Sequence, residues 1–144
     1  MNAVAKELGT LQLNFASAKF LPFLPEECQE NPGVYGFELA LWVAQRLIEA
    51  GIASGYPFGE DWGWFVECID DQAEIRIGCS SVSNEGDGYT GEAITWRIFI
   101  KQLVSLMQRL KGTPTSPSVK TIARTLQVAL EAEGIAVTFE EIEQ

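Results

Sequence analysis

Three stretches of this chain alternate apolar and polar residues with the period of a strand, and two of them are separated by only Asp70-Asp71-Gln72. That spacing dictates an antiparallel hairpin, because parallel neighbours need a long crossover. Residues 61–69 put Trp62, Trp64, Val66 and Cys68 on one face, and Gly63, Phe65, Glu67 and Ile69 on the other. Residues 73–79 place Ala73, Ile75, Ile77 and Cys79 inward, with Glu74 and Arg76 outward. Residues 92–100 repeat the pattern, Ile94, Trp96, Ile98 and Ile100 against Thr95, Arg97 and Phe99.

Other segments supply the rest of a sheet and its cover. Leu11, Leu13 and Phe15 alternate in a half-buried strand, and the proline-containing FLPFLPEECQ after it reads as loop. Asn31-Pro32 is a helix start, and Gly51 follows the expected end of that helix near Ala50. This helix is apolar over much of its girth. Glu38, Gln45 and Glu49 share the polar face that remains, with Tyr35 and Trp42 on or beside it. Leu103, Leu106, Met107 and Leu110 recur at helical spacing up to Gly112. A further helix begins at Ser116-Pro117, turns Val119, Ile122 and Leu126 inward and stops at Gly134; Ile135, Val137 and Phe139 suit a last strand. The expected order is β-α-β-β-β-α-α-β. It describes one α+β domain over residues 1–144, with an antiparallel sheet of about four to five strands and two to three helices packed mainly on one face. A chain of 144 residues, 47% apolar and 21% charged, is globular in composition and long enough to fold without metal or disulfide.

Charge narrows the partners. A net charge of −10 argues against nucleic acid, which needs basic surface, and favours steering of a basic protein. Residues 60–92 carry nine acids and one base, whereas 93–130 carry six bases and no acid. Local neutralisation between the two segments is the first expectation, a basic patch the second. The start, MNAVAKELGTLQLNF, reads without a signal peptide, and no apolar run is long enough for a membrane span. Three cysteines, Cys28, Cys68 and Cys79, without CxxC spacing fit a reducing cytoplasm.

The chain has no histidine, which removes the usual acid–base group, the Ser-His and Cys-His pairs and imidazole metal sites. No catalytic residue, metal or cofactor is expected. The loop around Asn84-Glu85-Gly86-Asp87-Gly88 fails as a calcium loop, since Ile94 falls where a bidentate Glu is required. Glu60-Asp61 precedes two tryptophans that could desolvate a carboxylate. The alternation instead puts Trp62 and Trp64 in the core and leaves Gly63 as a gap on the opposite face, open to another backbone or a ligand. Phe65 and Phe99 on the outward face, among Arg76 and Arg97, form a protein-binding patch unless a helix covers them.

Asn31-Pro32-Gly33-Val34-Tyr35-Gly36-Phe37-Glu38-Leu39-Ala40-Leu41-Trp42, then Glu60-Asp61-Trp62-Gly63-Trp64, then Ile77-Gly78-Cys79 resembles a family of small uncharacterised bacterial proteins. In that family an NPG-started helix, an EDWGW strand and an IGC strand recur in this order. The resemblance spans roughly residues 10–100 and implies a bacterial source and a compact α+β domain. It carries no activity with it. Small acidic bacterial domains of this kind include toxin-immunity proteins.

The expected function is therefore non-enzymatic protein binding, immunity- or inhibitor-like, toward a protein that is itself basic. Its candidate contact residues are Tyr35, Trp42, Glu60, Asp61, Phe65, Arg76, Arg97 and Phe99. The alternative is a small-molecule site or carboxylate enzyme at Glu60 and Asp61. A homodimer through the apolar helix at 32–50 is a third expectation.

Overall fold

The computed structural model describes residues 10–29, 34–82, 92–104, 111 and 116–142. The hairpin at its centre joins β4 (Gly63–Asp70) to β5 (Ala73–Val82), closed by the pair Asp70–Ala73. Asp71 and Gln72 both take positive φ, 50° and 66°, as a two-residue turn matched to strand twist demands. Asp tolerates that conformation better than most residues.

Antiparallel pairing continues from β5 to β6 (Ile94–Gln102), then β1 (Thr10–Ser17), then β7 (Thr138–Ile142). On the other side of β4 lie two short strands, β2 (Ala53–Ser54) against Cys68–Ile69 and β3 (Phe58–Glu60) against Gly63–Phe65. The sheet thus has seven strands, not four to five. The difference is β2 and β3, whose two and three residues are too short to show an alternation. The described residues contain two α-helices, in the order β1-α1-β2-β3-β4-β5-β6-α2-β7. Most of the helix expected over 103–110 lies outside the described residues, as do Asn31-Pro32-Gly33 and the loop at 83–91.

Helix α1 (Phe37–Glu49) starts later than the expected Asn31-Pro32, since Val34, Tyr35 and Gly36 are not helical; Gly36 accepts the first helical bond from Ala40 N–H at 2.8 Å. It ends at Gly51, φ 85°, with Ile52 N–H returning to Leu47 O at 2.9 Å. Helix α2 (Ser118–Ala132) is set by polar contacts. Ser116 Oγ accepts from Ser118 N–H, Gln102 Oε1 accepts from Ser116 N–H at 2.7 Å, and Ser118 Oγ donates to Asp70 O.

Both helices pack on one sheet face, α1 on β4 and β5, α2 on β1 and β6, and on each other. Leu39, Val43 and Leu47 of α1 and Ile122, Leu126 and Leu130 of α2 close over Val66, Ile75, Ile77, Cys79, Trp96, Ile98 and Ile100, all fully buried. The α+β class and the one-sided helix layer are as expected.

The polar face assigned to α1 is a surface only in part: Gln45 and Glu49 are exposed, whereas its Glu38 end is covered. Residues 18–25 fold across it, and Phe20 stands edge-on to Trp42 at 5.1 Å and to Trp96 at 6.5 Å. Glu38 is 5% exposed, and its Oε2 accepts the backbone N–H groups of Phe23 and Leu24 at 3.0 and 2.9 Å. One buried carboxylate oxygen thereby satisfies two donors of a segment that has no ladder of its own.

Candidate functional site

The sheet face turned away from the helices carries the candidate site. In register across it run Phe58, Phe65, Gly78, Phe99 and Gln12, one residue from each of five neighbouring strands. Phe58 stacks on Phe65 with centroids 5.8 Å apart and an interplanar angle of 29°. Gly78 leaves a gap in this row, and Trp62 fills it. A Cβ at Gly78 would stand 2.7 Å from the far edge of the Trp62 ring. From there the indole reaches Phe65 at 6.5 Å and Phe99 edge-on at 6.3 Å. Aromatic rings at these separations attract beyond the area they bury.

Trp62 is therefore not a core residue, contrary to the alternation argument. The strand begins at Gly63, one residue later than that argument needs, and Asp61-Trp62 is the turn between β3 and β4. Ser80 Oγ donates to Trp62 O at 3.0 Å and holds this turn to β5. Trp64, the next tryptophan, does face the helices, half-buried and edge-on to Phe37 at 5.1 Å.

Gly63 fills its expected role as a point of close approach. A Cβ there would run into the carbonyl oxygen of Cys79, and a Cβ at Gly36 would meet the same oxygen. Beside this contact Ser81 Oγ accepts from Tyr35 N–H at 3.0 Å, and Ser81 N–H donates to Tyr35 O at 3.3 Å. The segment before α1, the β3–β4 turn and β5 thus meet at one place.

Arginine completes the face. The guanidinium of Arg76 lies over the Phe65 ring at 4.3 Å, and its Nη2 meets Glu67 Oε2 at 2.8 Å. Glu67 and Arg76 are direct cross-strand partners in β4 and β5, a pairing that stabilises the sheet. Phe65 lies beneath Arg76 and beside Phe58 and Trp62, and is 8% exposed. Phe99 is partly exposed and Arg97 is exposed. Phe58 and Trp62 form the accessible part of the row, 57% and 42% exposed. Sequence reasoning missed both. The signal for Phe58 is its spacing to Glu60, repeated in Phe65 and Glu67; for Trp62 it is the glycine in Ile77-Gly78-Cys79.

Two other expected contact residues are placed elsewhere. Tyr35 is 4% exposed and Trp42 9%, both under cover within the chain. Trp42 carries Arg46 over its ring at 5.5 Å. Glu60 and Asp61 are exposed at the edge of the aromatic row. Neither lines the groove of about 280 Å³ beside β2 or the one of about 230 Å³ between Phe20 and α1.

Ion pairs among the described residues include Lys19 with Glu133, Arg46 with Glu49 and Arg76 with Glu67. Cys68 and Cys79 face inward, with Cys28 exposed, and none is paired. Burial pushes the Cys68 thiol up to about 12, with the charge of Asp70 adding to it, and burial raises Cys79 as well. The described residues contain no cluster of three or more His, Cys, Asp or Glu side chains fit to hold a metal ion. None of their helices is long and apolar enough to cross a membrane. No family model matches the chain, and comparison with curated proteins and with solved structures finds no match.

Proposed function

We propose that this chain is a non-enzymatic protein-binding domain whose contact surface is the outer sheet face around Phe58, Trp62, Phe65 and Phe99. The observation that carries the reading is the exposure of Trp62 and Phe58 in a fixed aromatic row, next to Arg76 and Arg97. Tryptophan, aromatic rings and arginine dominate binding hot spots because they bring large contact area at low entropy cost. Neither described helix covers this face. Glu60 and Asp61 join the surface as rim acids, and Tyr35 and Trp42 leave it.

The partner is a basic protein, which a net charge of −10 would steer toward the surface. An immunity- or inhibitor-like role in a bacterial cytoplasm fits this chemistry, and three free thiols suit that compartment. The test is affinity for a partner recovered from the source organism, measured against Phe58→Ala, Trp62→Ala and Arg97→Glu. Each is expected to weaken binding tenfold or more, roughly 1.4 kcal/mol. Unchanged affinity in all of them places the contact surface elsewhere.

A further inference from the structure

The outer face holds the same side-chain pair twice. On β4, Phe65 and Glu67 stand two residues apart on one face, and between ring and carboxylate they clasp Arg76. Both its Nε and Nη2 donate to Glu67 Oε2, at 3.1 and 2.8 Å, while its Cζ lies over the ring, 4.3 Å from the centroid. On β3, Phe58 and Glu60 have the same spacing on the same face, since they pair with Phe65 and Gly63. Here no arginine of the described chain sits between them. Phe58 is 57% exposed, Glu60 is exposed, and among the described residues β3 pairs only with β4, so no described strand on its other side supplies a base.

We propose that Phe58 and Glu60 form an arginine-binding clasp for a partner protein, built as Phe65 and Glu67 are built for Arg76. The proposal rests on the outer face being the contact surface and names what it recognises there. Arginine suits the site better than lysine, because a guanidinium can stack on a ring and present a planar fork to a carboxylate at once. Trp62, two residues beyond Glu60, meets Phe65, the ring on which Phe58 stacks, and so reports on the clasp through it. The acidic charge of the chain favours the same ligand from a distance.

The probe is a capped Thr-Arg-Thr-Arg-Thr peptide, titrated into the full chain and followed by the indole N–H resonance of Trp62, which is assigned by its loss in Trp62→Phe. Saturable movement of that resonance is expected, with roughly tenfold weaker binding of the lysine counterpart and a similar loss in Glu60→Gln. Glu60 is exposed, so this variant keeps the fold, and Glu60→Arg is expected to abolish binding. A silent Trp62 resonance, equal binding of the lysine peptide, or full binding by Glu60→Gln overturns the clasp. A natural partner that is lost on Trp62→Ala yet indifferent to Glu60→Gln removes the arginine and leaves the contact surface standing. Indifference to both removes the surface too.

Discussion

Gly36 and Gly63 are far apart in sequence, yet each turns its missing side chain toward the carbonyl oxygen of Cys79. A methyl group at either position meets backbone, which cannot move aside without opening β5. Gly63→Ala and Gly36→Ala are each expected to cost about 3 kcal/mol or more, read as a loss of denaturant-unfolding free energy. Gly134 gives the contrast. Its φ is 81°, but nothing stands within 4 Å of an added Cβ, so Gly134→Ala should cost only about 1 kcal/mol of backbone strain. Gly78 is different again, because its neighbour is the far edge of the Trp62 ring. Gly78→Ala should displace the indole and raise quenching of its fluorescence by acrylamide, while most of the stability survives. The close approach at Gly63 was legible in the sequence, since a glycine flanked by two tryptophans at a strand leaves room for another backbone. The side taken by Trp62 was not. Alternation assigns faces only once the first strand residue is known, and the turn at Asp61-Trp62 moves that start by a single position.

At the scale of elements, α1 shows why periodicity alone misjudged a face. Its apolar girth is wider than one sheet can cover, and the excess is closed by Phe20 and the irregular segment around it. No repeat announces such a segment, so Trp42 and Glu38 read as surface. Glu38→Ala removes the acceptor for Phe23 and Leu24 N–H and should destabilise by about 1–3 kcal/mol, with faster amide exchange across residues 20–25. The strands β4 and β5 carry a second consequence through their thiols. An unfolded Cys68 ionises near 9.0 and the folded one only near 12. The stabilisation is complete below pH 9 and is lost as pH rises from there toward 12, by about 1.4 kcal/mol per pH unit for a thiol. Cys79, raised by burial too, adds the same sense of slope, so denaturant unfolding at neutral pH and at about pH 10 should show the loss from both thiols, and Cys68→Ala should remove only its share. Under native conditions Cys28, the exposed thiol, should be the one that reacts rapidly with a disulfide reagent.

For the whole molecule, placing both helices on one face leaves the sheet with two different surfaces. The inner one was legible from the alternation of Ile75, Ile77, Ile98 and Ile100, which no loop can disguise. The aromatic row on the outer one was legible in part. Phe65, Phe99 and Arg76 follow from parity, whereas Phe58 lies on a strand too short to detect and Trp62 arrives from a turn. Leu39, Val43 and Leu47 of α1 belong to the inner layer and are buried within a single chain. The neighbours Trp62 and Gly63 then have separate roles, one in surface and one in architecture, and thermal unfolding of Trp62→Ala beside Gly63→Ala tests this directly. Gly63→Ala should lower Tm by roughly 10 °C, and Trp62→Ala by about 5 °C or less, since its ring is only partly buried. An equal or larger loss in Trp62→Ala would make the indole a structural residue and contradict its assignment to a contact surface.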